Sequence, residues 1–136
     1  NSQYERAIKD FDKAISIKQD YVDAHINRGI SYFKQGKYEC AIEDYDKAIE
    51  ISPDLPEAYN NRGISYFKQG KYECAIEDYD KAIELKPDYA DAYNNRGLSY
   101  SLIKETQRAL FDYDKAIGID PNNSESITIV ATATLT

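Results

Sequence analysis

The sequence has few of the residues from which catalytic and metal-binding sites are built. Its 136 residues include one histidine and two cysteines. His25 has no second histidine or cysteine at a spacing that would let both hold a metal ion, so we expect it to be a packing residue. Glycine-rich phosphate loops and the G-x-S-x-G and H-E-x-x-H motifs are absent from the sequence. We therefore expect no catalytic residue, no metal site and no cofactor.

Long apolar runs and an excess of basic residues are also missing. No stretch approaches the roughly 18–20 apolar residues that cross a membrane, and the chain does not open on the basic and apolar segments of a signal peptide. The formal net charge is −7, which argues against binding a nucleic-acid backbone because that needs a basic surface. We expect no membrane and no nucleic acid among the partners, and a cytoplasmic location. Because the chain opens on Asn1, we expect a fragment.

The two cysteines, Cys40 and Cys74, occupy the same place in two copies of a repeated segment. Equivalent positions of stacked helices should lie about 10 Å apart, whereas a disulfide needs Cα atoms within about 7 Å. We therefore predict that no bridge joins them, which fits a reducing, intracellular setting.

The dominant feature that is present is a repeat. Residues 61–84 reproduce residues 27–50 letter for letter, 34 positions later, and residues 95–117 keep the frame with substitutions. This period is typical of stacked pairs of helices. The predicted organisation is one array over 1–136, with the second helix of a truncated unit at 1–21, complete units at 22–55, 56–89 and 90–123, and a partial unit or frayed tail at 124–136.

Each unit is predicted to contain two helices, because its apolar residues recur with helical spacing on both sides of a short turn. In the first complete unit the helices should span about residues 22–35 and 38–51 and lie antiparallel, with Gly36 ending the first of them. We expect Asp20 to cap that first helix. Lys104 stands where the other two units have a glycine, so the third hairpin is expected to turn differently.

Small residues at fixed places indicate where the helices approach each other. Gly29, Gly63 and Gly97 lie in the middle of first helices, where glycine costs up to about 1 kcal/mol relative to alanine. A close approach of two helices would account for this cost. The residues expected to face these glycines from the second helices are Ala41, Ala75 and Ala109.

The pattern of each unit is similar to the tetratricopeptide repeat, W-x2-L-G-x2-Y…A-x3-F…P over 34 residues. The tryptophan place holds His25 or a tyrosine, and the leucine place holds arginine. The resemblance implies an all-α, right-handed α-solenoid of antiparallel helix hairpins whose first helices line a concave groove. The matching residues are Gly29, Tyr32, Ala41, Tyr45 and Pro53 in the first unit, Gly63, Tyr66, Ala75, Tyr79 and Pro87 in the second, and Gly97, Tyr100, Ala109, Tyr113 and Pro121 in the third.

The arginines at the leucine place need partners, because an unpaired buried charge is costly. An aspartate recurs on the second helices with the same 34-residue period. We predict a ladder of Arg–Asp pairs that holds adjacent helices in register. Its members are Arg28, Arg62 and Arg96, with Asp10, Asp44, Asp78 and Asp112 as the carboxylates.

The resemblance also implies a binding site. Asparagines at this place of a first helix can face the groove and hold a peptide backbone, since an amide both donates and accepts hydrogen bonds. The alternative is that they are ordinary solvated residues of a helix surface. The predicted groove residues are Asn27, Asn61 and Asn95 with Asn60 and Asn94 beside them, the acidic Asp23, Glu57 and Asp91, the apolar Ile30, Ile64, Leu98, Phe33 and Phe67, and Lys34 and Lys68 at an edge.

Family members that bind chaperones clamp a C-terminal carboxylate with basic side chains from several first helices. The matching places here hold Ile26, Ile30, Asp91 and Asn95, and only Asn61 matches, so we do not expect such a clamp. We expect a non-catalytic module that binds a neutral or basic peptide segment of a partner protein. Two alternatives remain open: a structural array that assembles end to end, because Ile8, Phe11 and Ile15 should be exposed on the first helix, and the recognition arm of a larger enzyme.

Overall fold

The computed structural model describes residues 2–122, and over this range the chain forms seven α-helices and no strand. The prediction of an all-α solenoid is confirmed. The partial unit or frayed tail expected over 124–136 lies outside the described residues. The helices are α1 (Ser2–Ile17), α2 (Val22–Lys34), α3 (Tyr38–Ile51), α4 (Pro56–Lys68), α5 (Tyr72–Leu85), α6 (Ala90–Leu102) and α7 (Thr106–Ile119).

The helices pack in chain order, each against the one before it and the one after it. Helices α2 and α3, α4 and α5, and α6 and α7 form hairpins, and α1 packs against α2 as a second helix would. The expectation that α1 exposes its apolar face is wrong for Ile8, which is only 9% exposed, and Phe11 and Ile15 are half-buried. Packing against α2 covers these side chains.

The turn between the two helices of a hairpin needs a backbone with positive φ. Gly36 and Gly70 have φ of +77° and +78°, and Lys104 takes the same role at +65°. In the first turn the N–H of Gly36 donates to the carbonyl of Phe33 over 2.9 Å, and the N–H of Lys104 donates to Ser101 over 3.1 Å. The prediction that the third hairpin turns differently is therefore wrong. Its turn has the same form, and Lys104 bears the strain that a glycine avoids.

The first helices begin without a side-chain cap. Helix α2 starts after Tyr21, α4 after Leu55 and α6 after Tyr89, and none of these residues makes a side-chain capping bond. The prediction that Asp20 caps α2 is wrong: the helix begins at Val22, as predicted, and the residue before it is Tyr21.

A tyrosine ring lies flat against the glycine of each first helix. A Cβ atom built on Gly63 would lie 2.6 Å from Cε1 of Tyr79, and one built on Gly29 would lie 2.7 Å from Cε1 of Tyr45. Close approach is therefore the reason for these glycines, as predicted. The nearest atoms at these glycines belong to the tyrosine ring, and at Gly97 the carbonyl oxygen of the predicted Ala109 also lies 3.2 Å from the built Cβ atom. Ala41, Ala75 and Ala109 are all buried.

The arginine ladder is present and is more extensive than predicted. Arg62 donates from Nε and Nη2 to the two carboxylate oxygens of Asp78, over 2.9 and 2.7 Å, and from Nη1 to Asp46 over 2.8 Å. Asp78 lies in the same unit and Asp46 in the preceding one, so one guanidinium joins three helices. Arg28 repeats this arrangement with Asp44 and Asp12, and Arg96 repeats it with Asp112 and Asp80. The aspartate of α1 in the ladder is Asp12 and not the predicted Asp10.

The two carboxylates of each arginine differ in their surroundings. The side chain of Asp78 is 7% exposed, whereas that of Asp46 is 53% exposed. Burial raises the pKa of Asp78 although the hydrogen bonds from Arg62 oppose that shift, and burial acts on Asp112 in the same way. The hydrogen bond with Asp78 in turn raises the pKa of Arg62. The buried carboxylates therefore depend on their guanidinium groups to stay charged.

We expect Arg62→Ala to lower the free energy of unfolding by about 3 kcal/mol, because it leaves Asp78 buried without a counter-charge. The matched variant Asp46→Ala removes only the exposed partner and should cost less than about 1 kcal/mol. Urea unfolding followed by circular dichroism measures both.

The loss in Arg62→Ala should also depend on pH. Removing the guanidinium raises the pKa of Asp78 further, and a group with a raised pKa stabilises the fold below that pKa and loses this contribution as the pH rises through it. The deficit should therefore shrink as the pH is lowered. Two results would contradict the conclusion that the arginine ladder holds the units together. One is that Arg62→Ala and Asp46→Ala lower the free energy of unfolding equally, and the other is that the loss in Arg62→Ala does not change with pH.

We predict that Lys104→Gly raises the free energy of unfolding by about 1 kcal/mol, because glycine adopts positive φ without the steric cost that lysine bears. Gly70→Ala is the reverse control and should lower stability by a similar amount. A Cβ atom on Gly70 would have no neighbour within 4 Å, so its effect comes from the backbone alone. Denaturant titration tests both, and a loss of stability in Lys104→Gly would contradict the assignment of strain.

Candidate groove on the first helices

The first helices form the inner layer of the solenoid. Cα atoms of α2 and α4 approach within 8 Å, as do those of α4 and α6, whereas α3 and α5, and α5 and α7, have no such approach in the described part of the chain. A stack that brings its first helices together and keeps its second helices apart is curved toward the first helices. The surface of α2, α4 and α6 is therefore the concave side, as the family resemblance implied.

Two equivalent depressions lie on this concave surface, one between each pair of neighbouring first helices. Their volumes are about 250 and 290 Å³. Each combines an aromatic ring, two aliphatic side chains, a lysine, an asparagine and a tyrosine from the second helix. The first depression is lined by Ile30, Phe33, Lys34, Tyr45, Asn61 and Ile64, and the second by Ile64, Phe67, Lys68, Tyr79, Asn95 and Leu98.

The structure therefore brings together nine of the predicted groove residues, namely Ile30, Phe33, Lys34, Asn61, Ile64, Phe67, Lys68, Asn95 and Leu98. Tyr45 and Tyr79 complete the depressions from the second helices, although both residues are buried, and the sequence analysis named them only as matching residues of the repeat. Their recurrence with the period of the site was the signal that could have identified them. Asn27 is exposed on α2 and lines neither depression, because α2 has no first helix before it.

The neighbouring asparagines are placed differently from Asn61 and Asn95. Asn60 is 5% exposed and Asn94 is 2% exposed, so both side chains lie between helices and away from a ligand in the groove. Nδ2 of Asn95 donates to Oδ1 of Asn60 over 3.1 Å. Asn60 therefore holds the groove residue Asn95 in position. Asn60 and Asn94 were predicted as groove residues, but their burial removes them from the surface that a ligand can contact.

The charged residues of the site lie at opposite ends of the first helices. Asp23, Glu57 and Asp91 are exposed in the first turns, and Lys34 and Lys68 are exposed in the last turns. Burial, together with the charges of Glu57 and Asp91, raises the pKa of Tyr89 to about 12. The two acidic groups are therefore close enough to act on one phenol, across the boundary between two units.

Ring contacts stabilise the basic end of the groove in the first two complete units. The ring of Phe33 lies 5.3 Å from that of Tyr38, and Phe67 lies 5.3 Å from Tyr72. In the third unit Ser101 and Leu102 replace the phenylalanine and lysine, and Leu102 is 48% exposed. The third unit therefore presents a different surface at these two places.

The histidine and the two cysteines of the chain were also predicted to have no chemical role. His25 is 4% exposed and its Nε2 lies 2.9 Å from the carbonyl oxygen of Gln19, which confirms it as a packing residue. Cys40 and Cys74 are free thiols, so the prediction that they are not bridged is confirmed. Within residues 2–122, no group of three or more potential ligand side chains is placed to hold a metal ion. No helix over that range is long and apolar enough to cross a membrane.

Comparison with protein families identifies the repeat. A family model described as TPR repeat matches residues 1–36, 29–70 and 63–103, and one described as Tetratricopeptide repeat matches residues 90–123. The chain belongs to the tetratricopeptide repeat family. A search of curated proteins gave no match.

Solved tetratricopeptide domains have the same fold. The first such domain of Spaghetti (RPAP3), bound to the HSP90 peptide SRMEEVD, is 31% identical over 84% of this chain and 90% of that one, with a TM-score of 0.81. The second domain of human RPAP3, in complex with the HSP70 peptide SGPTIEEVD, is 31% identical over 81% of this chain and 92% of that one, with a TM-score of 0.77. MamA is 28% identical over 97% of this chain and 77% of that one, with a TM-score of 0.89.

Two adjacent asparagines of this tetratricopeptide array should differ in their effect on stability. We expect Asn60→Ala to lower the free energy of unfolding by about 1 kcal/mol, because it removes a buried hydrogen-bond acceptor from Asn95. Asn61→Ala, at the lip of the first depression, should change it by less than about 0.5 kcal/mol. Urea unfolding of the two variants measures this difference, and a larger loss in Asn61→Ala would show that Asn61 has a packing role.

Proposed function

We propose that this protein is a non-catalytic interaction module that holds a peptide segment of a partner protein in the concave groove. The observation that carries the proposal is the pair of equivalent depressions, in which an asparagine side chain stands beside an apolar floor. Apolar side chains of a ligand enter the depressions, and Asn61 and Asn95 bond to its backbone. Asn27 extends the same row on α2.

The ligand is neutral or basic in this proposal. The similar solved domains include two tetratricopeptide domains in complex with the HSP90 peptide SRMEEVD and the HSP70 peptide SGPTIEEVD. An acidic peptide of that kind suits this groove less well, because Asp23, Glu57 and Asp91 add negative charge to it. The net charge of −7 also favours a basic partner. The free cysteines fit a reducing, cytoplasmic compartment.

Two other functions differ in what they require. An array that assembles end to end would need an exposed apolar surface at its open end. Ile8 was predicted to be part of that surface on α1, but it is buried. Light scattering over a concentration series tests it, since assembly predicts a mass that rises with concentration.

A recognition arm of a larger enzyme would use the same groove on a longer chain, so it is an extension of the proposal rather than a rival site.

Selection from a random peptide library displayed on phage tests the proposal directly. The wild-type chain should enrich peptides that bind with micromolar or tighter affinity in fluorescence anisotropy. The double variant Asn61→Ala with Asn95→Ala should weaken the same peptides at least about fivefold, because each lost backbone contact contributes about 0.5–1.5 kcal/mol.

A matched pair on the outer surface serves as control. Glu43→Ala with Glu77→Ala changes two equivalent exposed residues of α3 and α5 and should leave the affinity unchanged. Circular dichroism verifies that both double variants remain folded. If no peptide is enriched, or if the groove and control variants bind equally well, the groove is not the binding site.

A further inference from the structure

The concave surface is divided into four rows that run from unit to unit. On α4 the residues Glu57, Asn61, Ile64 and Lys68 are spaced by 4, 3 and 4 positions and therefore share one face of the helix. The same places recur on α2 and α6. The rows are acidic (Asp23, Glu57, Asp91), amide (Asn27, Asn61, Asn95), aliphatic (Ile30, Ile64, Leu98) and basic (Lys34, Lys68), the last ending at Leu102.

The rows place opposite charges on the two sides of the groove. Glu57 and Lys68 are eleven positions apart, which corresponds to about 16 Å along a helix. The acidic and the basic side chains are exposed, and in the described residues no ion pair involves Asp23, Glu57, Asp91, Lys34 or Lys68. The lysines of the second helices do have such partners, as Lys81 and Glu84 show at 3.6 Å. The charges that border the groove are thus available to a ligand.

The spacing of the rows sets the form of the ligand. Neighbouring first helices should lie about 8–10 Å apart, so the two depressions and their asparagines repeat at about that distance. A peptide in the polyproline II conformation has three residues per turn and rises about 9 Å in three residues. Its backbone has no internal hydrogen bonds, so it can accept one amide side chain in each unit.

Three residues per turn also distribute the ligand side chains over three directions. When every third side chain points into a depression, the other two of each triplet point about 120° to either side. One then faces the acidic row and the other faces the basic row. We propose that the groove binds an extended segment with a triplet period, in which an apolar, a basic and an acidic residue recur and each meets its own row. This inference rests on the proposed function and specifies its ligand.

Two synthetic nonapeptides with blocked ends provide the probe. One contains three copies of the triplet leucine–lysine–glutamate, and the other contains three copies of leucine–glutamate–lysine. Because polyproline II has a fixed hand, only one order places the lysines toward the acidic row for a given chain direction. A third peptide of the same composition, with leucines spaced two and four apart, is the control. Nine residues are too few for a stable isolated helix.

We expect one triplet order to bind the full chain at least about tenfold more tightly than the other order and than the control peptide, by fluorescence anisotropy at low salt. The preferred order also gives the direction of the bound segment. Exchanging the charges of the middle unit, with Glu57→Lys and Lys68→Glu, should reduce this preference at least about threefold. The matched exchange on the outer surface, Glu77→Lys with Lys81→Glu, should leave it unchanged.

The outcomes separate the two proposals. If neither triplet order binds more tightly than the control peptide, or if the exchange in the groove has no effect, the role of the charged rows is wrong. Equal binding of the two orders would show that the segment binds in both directions and would overturn the expected preference. If peptides selected from the library bind while neither triplet peptide does, the triplet ligand is wrong and the proposed function stands. If neither the library peptides nor the triplet peptides bind, the triplet ligand and the proposed function are both wrong. Should the exchanged variant lose its helical signal because its charges oppose the helix dipole, Glu57→Gln with Lys68→Gln replaces it.

Discussion

The stacking of this solenoid depends on one guanidinium in each unit. The arginine leaves the first helix, holds the buried aspartate of its own hairpin with two hydrogen bonds, and reaches an exposed aspartate of the unit before it. Apolar packing alone fixes the distance between helices but tolerates small shifts along them. A three-helix ion pair with fixed geometry sets that register, at the cost of burying a carboxylate. The same ion pair therefore fixes the position of the groove residues along the stack, because Asn61 and Ile64 lie on the same helix as Arg62.

The fold could be predicted from the sequence because three units carry the same pattern of residues. A single mid-helix glycine or a single arginine at an apolar place is weak information, but the same residue at the same phase in every unit indicates a contact. The pattern thus identified Gly63 and Arg62 as residues with partners. It could not identify Asp46 as the second carboxylate, because this contact depends on helix rotation and on the fit between units.

The details that were predicted wrongly share a cause. The capping role of Asp20 and a different turn at Lys104 were inferred from the preferences of single residues, and the structure matches neither inference. Two hairpins that stack on each other need the same turn, so the third unit keeps it despite the strain at Lys104. Likewise, adjacent asparagines look alike in sequence, yet the helix turns by about 100° between them. This rotation buries Asn60 and leaves Asn61 at the lip of a depression.

The identity of residues 27–50 and 61–84 has a consequence for any ligand. Under the proposed function, a segment short enough to occupy one depression would find two places of nearly equal energy and could shift between them without leaving the protein. Such a ligand would exchange rapidly between registers and would blur in any structure of the complex. Ser101 and Leu102 replace the phenylalanine and lysine in the third unit but line neither depression, so they do not distinguish one from the other. A longer segment that reaches them would meet a different surface there and would take a single position.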